Sequence, residues 1–339
     1  MYAVPTPAPR PRDEAPTADP QEETSMAIGF IGLGRMGQGM ATNLVRRSGR
    51  QVLVFDTSAE PVDLLAAAGA TPASDIAEVA RRCDVIFASL PGPPEAQAVF
   101  LGSGGLVENA RPGTILADLS TNSLSLQKEI HDECLRRDLS FLDAPVSGGP
   151  AGAASGDLAI WVGGDRAVYE RCLPVLTTMG DKTHYVGASG AGTVTKLCHN
   201  MLGSIIQLAL AETFSVAVKA GVDPLDLWES IRLGVVGKRS PLDMLTKQFL
   251  PGKFDPPAMP LKLAHKDLSL GAALGTDHDV PMRMAEMTRD EMAAAIQRGL
   301  GDLDARVFLT LQLERAGVEI AVDPERLDAV LKASRPAGK

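Results

Sequence analysis

The chain has 339 residues, enough for two domains of roughly 150 residues each with some chain left over. Its 45% hydrophobic and 22% charged residues, with mean hydropathy +0.04, describe a protein with a sizeable core and exclude wholesale disorder. A formal charge of −9 lacks the basic surplus that contact with a phosphate backbone draws on, so no nucleic acid partner is expected.

Residues 1–25 hold Pro5, Pro7, Pro9, Pro11, Pro16 and Pro20 among mixed charges and few bulky apolar side chains, a composition that predicts a disordered tail. The segment lacks the apolar stretch of a secretory signal, and its acidic residues argue against a transit peptide. From Met26 onward, apolar runs at Ala27–Leu33, Val52–Phe55, Val85–Leu90, Thr114–Leu119 and Phe141–Ala144 alternate with segments of helical spacing such as Met36, Met40 and Leu44. Nearly continuous apolar strands divided by helices predict a doubly wound α/β domain, its mostly parallel sheet covered on both faces. Leu158–Val162 and Thr183–Val186 flank a helical stretch from about Ala167 and extend that sheet, giving a first domain over residues 26–190.

After Gly192 the strand signals stop. Val194, Leu197, Cys198, Met201, Leu202, Ile205, Leu208 and Ala209 recur at helical spacing toward Gly221. They predict one connecting helix of about 30 residues, ~45 Å long, leading into an all-α domain over residues 191–322, with a C-terminal tail at 323–339. The apolar run Met201–Ala211 is interrupted by Ser204 and Gln207 and falls short of the ~18 residues of a membrane span, so no membrane association is expected. The apolar face of the same helix predicts a homodimer or homotetramer. Four cysteines without CxxC spacing read as reduced thiols in a cytoplasmic setting, and five dispersed histidines predict no metal site.

Phe30-Ile31-Gly32-Leu33-Gly34-Arg35-Met36-Gly37 is a GxGxxG directly after the first strand and opening a helix. There Gly32 permits the tight turn, Gly34 lets backbone approach a pyrophosphate, and Gly37 allows close helix packing, while the helix N-terminus faces phosphate. Asp56 ends the second strand near the ~20-residue distance at which a carboxylate hydrogen-bonds an adenosine ribose. It would repel a 2′-phosphate, and Thr57 and Ser58 supply no arginine to hold one, so NAD is expected in preference to NADP. The alternative for Asp56 is a cap on the following turn, as Asp often is.

Several segments together resemble the 3-hydroxyisobutyrate dehydrogenase family of β-hydroxyacid dehydrogenases. Gly32-Leu33-Gly34-Arg35-Met36-Gly37 with Met40-Ala41-Thr42-Asn43-Leu44 is similar to its cofactor turn, and Asp143-Ala144-Pro145-Val146-Ser147-Gly148-Gly149 to its substrate loop. Gly190-Ala191-Gly192 followed by Lys196 and Asn200 resembles its catalytic helix, and Lys266-Asp267-Leu268 a further lysine motif. The resemblance implies a Rossmann-type domain, a long interdomain helix and an all-α domain. It further implies reversible oxidation of a small 3-hydroxy acid by hydride transfer to a nicotinamide, with Leu90, Pro91, Ser120 and Thr121 lining the cofactor cleft and Lys266 reaching toward it.

For the chemical step, hydride departure requires removal of the hydroxyl proton, and Lys196 is the implied acid/base. Asn200, four residues on, shares its helix face and can orient the hydroxyl. Taken alone, Lys196 amid Val194, Leu197 and Cys198 reads as a snorkelling surface lysine. Ser147, Gly148 and Gly149 offer a hydroxyl and backbone N–H groups to a carboxylate, although a glycine-rich loop alone would look the same. Lys266-Asp267 alone reads as a solvated pair. His199 stands where the family commonly has a second asparagine and receives no catalytic role; Lys238-Arg239 could hold a second acidic group or make a surface contact. Imine reductases of similar fold usually lack a lysine like Lys196, phosphogluconate enzymes carry a much longer helical domain, and a non-catalytic binding module would need neither Lys196 nor the Ser147 loop.

Overall fold

The computed structural model describes residues 27–333 apart from Arg239, Pro241 and His278. The proline-rich segment 1–25 and half of the Lys238-Arg239 pair lie outside the described residues. Among the described residues nine strands form one sheet: β1 (Ile28–Ile31), β2 (Val52–Phe55), β3 (Thr71–Pro72), β4 (Val85–Ala88), β5 (Ile115–Asp118), β6 (Ser140–Asp143), β7 (Val146–Ser147), β8 (Ala159–Gly164) and β9 (Lys182–Gly187). Their order is β3-β2-β1-β4-β5-β6-β8-β7, with β9 also pairing β8. Strands β1 to β6 run parallel, β8 runs antiparallel to β6 and β7, and β9 lies parallel to β8. The sheet is thus doubly wound and mostly parallel.

Alternation along each strand builds two cores. Ile28, Phe30, Val52, Val54, Val85 and Phe87 pack on one face, and Ile31, Leu53, Ile86, Leu116 and Phe141 on the other. Strands buried on both faces read as unbroken apolar runs. The two-residue strands β3 and β7 escape sequence patterning because a pair of residues carries no period. Ser147, expected in a loop beyond a strand end, therefore sits in a strand of its own.

The long helix runs Ala191–Lys219, 29 residues, close to the expected length. The two compact units divide inside it, after Met201 rather than at its start. Its first turn stays with the sheet because backbone N–H groups of Gly190 and Thr193 donate to the Asp143 carboxylate at the end of β6. By length and composition alone this helix, with mean hydropathy 1.6 over its most apolar window, is long and apolar enough to cross a membrane, a property that does not by itself place it in one. The interruptions at Ser204 and Gln207 are too mild to lower the average.

Among the described residues the second unit holds no strand beyond an isolated bridge between Pro260 and Asp304. Its core gathers Leu261, Met292, Ala295, Val307 and Leu311. Within the 323–339 tail, Pro324–Ala333 is a helix, started by Asp323, which accepts the Arg326 N–H.

Candidate active site

The three glycines after β1 have different physical roles. Gly32 adopts φ +87°, and a Cβ there would stand 2.2 Å from the Ser89 carbonyl oxygen. A Cβ on Gly37 would lie 1.9 Å from the Gly32 oxygen, the close packing that brings the next helix against the turn. At Gly34 no protein atom lies within 4 Å of a Cβ position, an open space in which a pyrophosphate could meet the backbone. The helix Gly37–Arg47 starts with no side-chain cap and no acid in its first turn, so its positive end faces that space.

A cavity of about 660 Å³ opens there, lined by Gly32, Gly34, Arg35, Met36, Gly37, Asp56, Leu90 and Pro91 among others. Buried Leu33 contributes through its backbone: its N–H donates to Asp56 Oδ2 at 2.6 Å, and Ser58 N–H donates to Oδ1 at 2.8 Å. Asp56 therefore caps the turn and also lines the cavity. Sequence reasoning missed Ile76, Glu95, Ala98 and Val99, which complete the wall. They come from two other helical segments, and only parallel strand order brings them beside β1 and β2. The residues present fit a dinucleotide.

Asp118, fully buried at the end of β5, organises the neighbouring loops. It accepts from Ser120 N–H at 2.9 Å and from the side-chain amides of Asn122 and Gln127, both at 2.5 Å. Burial pushes its carboxyl up against these hydrogen bonds. Ser120 Oγ in turn accepts the Leu90 N–H at 2.8 Å, tying the Leu90-Pro91 turn to the Ser120-Thr121 pair. With Ser120 and Asn122 buried, Thr121 is left exposed between them. Thr121 lies outside the lining of the cavity.

The expected substrate side lies in the same unit. Ser147 pairs with Ala159 of β8, and Gly148 (φ +142°) turns the chain into the helix Gly149–Ser155. Asn43, buried on the cofactor-turn helix, donates to the carbonyl of Ala153 at 2.8 Å and clamps the two segments together. Lys196 is half-buried on the long helix, and burial holds its ammonium below the usual lysine range. Its Nζ stands 6.0 Å from the Trp161 ring centroid. His199 and Asn200 follow it, with His199 Nδ1 3.2 Å from Asn200 Oδ1. Lys266, in the second unit, is exposed and paired with Asp267 at 3.0 Å. Among the described residues no group of three His, Cys, Asp or Glu side chains is placed to hold a metal.

Residues 27–187 match the family model described as the NAD binding domain of 6-phosphogluconate dehydrogenase, and residues 190–311 the one described as NAD-binding of NADP-dependent 3-hydroxyisobutyrate dehydrogenase. The 2-(hydroxymethyl)glutarate dehydrogenase of Eubacterium barkeri is 33% identical over 303 residues, 88% of this chain and 99% of the relative. A solved 3-hydroxyisobutyrate dehydrogenase of Mycobacterium tuberculosis, with L-serine, is 30% identical at TM-score 0.60, covering 85% of this chain and 99% of that one. An imine reductase from Pseudomonas reaches TM-score 0.70 at 17% identity, over 85% and 99% of the two chains, a likeness of fold alone.

Proposed function

The chain belongs to the 3-hydroxyisobutyrate dehydrogenase family of NAD(P)-dependent dehydrogenases, and on that premise we propose that it reversibly oxidises a small 3-hydroxy acid to the corresponding semialdehyde or oxo acid. One observation carries the reading: a half-buried lysine with a lowered pKa, Lys196, stands in the same unit as a glycine turn open to a dinucleotide. A nicotinamide, when bound, accepts hydride from the hydroxyl-bearing carbon.

The chain's own residues supply the rest. Gly34 and the helix that follows hold the pyrophosphate, and Asp56 takes the adenosine ribose, favouring NAD over NADP. Ser147, Gly148 and Gly149 receive the substrate carboxylate through hydroxyl and backbone N–H groups. Lys196, free of its proton more readily than an exposed lysine, accepts the hydroxyl proton during oxidation and returns it to the carbonyl oxygen during reduction. Asn200, its amide held by His199, orients that oxygen.

Exposed Met201, Leu208 and Leu210 on the long helix support assembly as a homodimer or larger. The four cysteines are free thiols, three of them buried, which supports a reducing, cytoplasmic compartment. The function is tested by following NADH formation at alkaline pH over a panel of short 3-hydroxy acids. Turnover of at least one, abolished in Lys196→Ala, is the expected result; a blank across the panel refutes the reading.

A further inference from the structure

Trp161 lies outside every motif that marks the site, yet three observations converge on it. Ser147 pairs with Ala159 across antiparallel strands, so their side chains share a sheet face, and Trp161, two residues further along β8, points the same way. The Lys196 ammonium nitrogen lies 6.0 Å from its ring centroid. His199, one helical turn beyond Lys196, sets its imidazole 5.1 Å from the indole at an interplanar angle of 49°. The half-buried indole thus stands on the sheet face that Ser147 also faces, against the helix carrying the proposed acid/base.

We propose that Trp161, with His199 beside it, is the wall against which the substrate's carbon-2 substituent packs, restricting the enzyme to 3-hydroxy acids whose substituent is small. This rests on the reading of Lys196 and Ser147 given above. A substrate whose carboxylate meets Ser147 and whose hydroxyl meets Lys196 has carbon 2 between those ends, next to the indole. The aromatic face is apolar and suits a small alkyl group. Asn200 Oδ1 can only accept, so in this pair His199 Nδ1 is the donor.

Two measurements test the wall. In Trp228→Phe, Trp161 is the sole remaining tryptophan, since the chain has 2. With NAD present, 3-hydroxyisobutyrate should change its emission saturably, and 2-(hydroxymethyl)glutarate should not at the same concentration. In steady-state assays Trp161→Leu should reduce the kcat/KM preference for 3-hydroxyisobutyrate over 3-hydroxypropionate, which lacks the methyl group, by about tenfold, mainly through KM. It should also narrow the discrimination against 2-(hydroxymethyl)glutarate, and Trp161→Phe should restore most of the preference. Unchanged emission at concentrations that saturate turnover, or equal losses for all three substrates, overturns the proposal. An emission change without any turnover upholds the wall and instead overturns the reaction assigned to Lys196. Neither response nor turnover overturns both.

Discussion

Asp143→Asn isolates what holds the long helix, and with it Lys196, against the sheet. In the native protein each carboxylate oxygen of this fully buried residue accepts one backbone N–H from the helix start, Gly190 and Thr193, both at 2.7 Å. An amide keeps the volume but can satisfy only one of them, leaving the other donor facing an NH2 group at a cost of about 1–3 kcal/mol. Removing a desolvated charge offsets part of that, because burial has already pushed the Asp143 carboxyl above its ordinary range. The expected net loss near neutral pH is therefore about 1–2 kcal/mol. A raised carboxyl stabilises the native state below the unfolded pKa, a contribution lost as pH rises through the folded one. The variant lacks this contribution, so its deficit should be larger at acidic than at neutral pH. Lys196 lies one turn past Thr193, and a displacement of about 1 Å can lower turnover ~100-fold, so kcat should fall roughly 10- to 100-fold. NAD affinity should hold, since the cofactor turn is built on β1. Urea unfolding at two pH values, steady-state kinetics and NAD titration read the three effects. A wild-type unfolding midpoint together with wild-type kcat would refute the anchoring role.

Lys196→Ala should lose about 10²- to 10⁴-fold in kcat while still binding NAD in a fluorescence titration; near-normal turnover sinks the assignment. Because burial lowers the Lys196 pKa, the rate of oxidation should rise with pH and level off below the pH at which an exposed lysine deprotonates. Asp56→Ala should reduce the preference for NAD over NADP by about tenfold or more, checked by paired titrations. Gly34→Ala should unfold at the wild-type temperature yet bind NAD poorly. Gly37→Ala, whose Cβ would lie 1.9 Å from the Gly32 oxygen, should be destabilised as well; similar melting of the two variants contradicts the separate roles. Light scattering at micromolar concentration should give a mass of two chains or more, and a monomer contradicts the assembly proposed from the long helix.

Much of the site was legible wherever a local constraint acts. Gly32, Gly34 and Gly37 announce themselves because backbone geometry within a few residues demands them, and Asp56 because one helix and one strand of ordinary length separate it from the turn. The pairing of Lys196 with Asn200 follows from helical periodicity alone. Trp161, Glu95, Ile76, Ala98 and Val99 left no comparable signal. A tryptophan in an apolar strand looks like core, and the others look like ordinary helix positions. Asn43 belonged to a motif, but its use, clamping the helix after Ser147 through the Ala153 carbonyl, depends on a residue 110 positions away.

The chain by itself determined the doubly wound sheet, the glycine turn and the connecting helix, because burial periodicity and turn chemistry act between near neighbours; Lys196 stood out only through the family resemblance. Tertiary structure decided what no local rule reaches. It paired β8 antiparallel to β6 and β7, which puts Trp161 on the face shared by Ser147. It also placed the unit boundary inside the long helix, because the Asp143 carboxylate, far earlier in the chain, supplies acceptors for that helix's first N–H groups. A helix cannot satisfy those donors itself, so the partner that does so fixes where Lys196 stands.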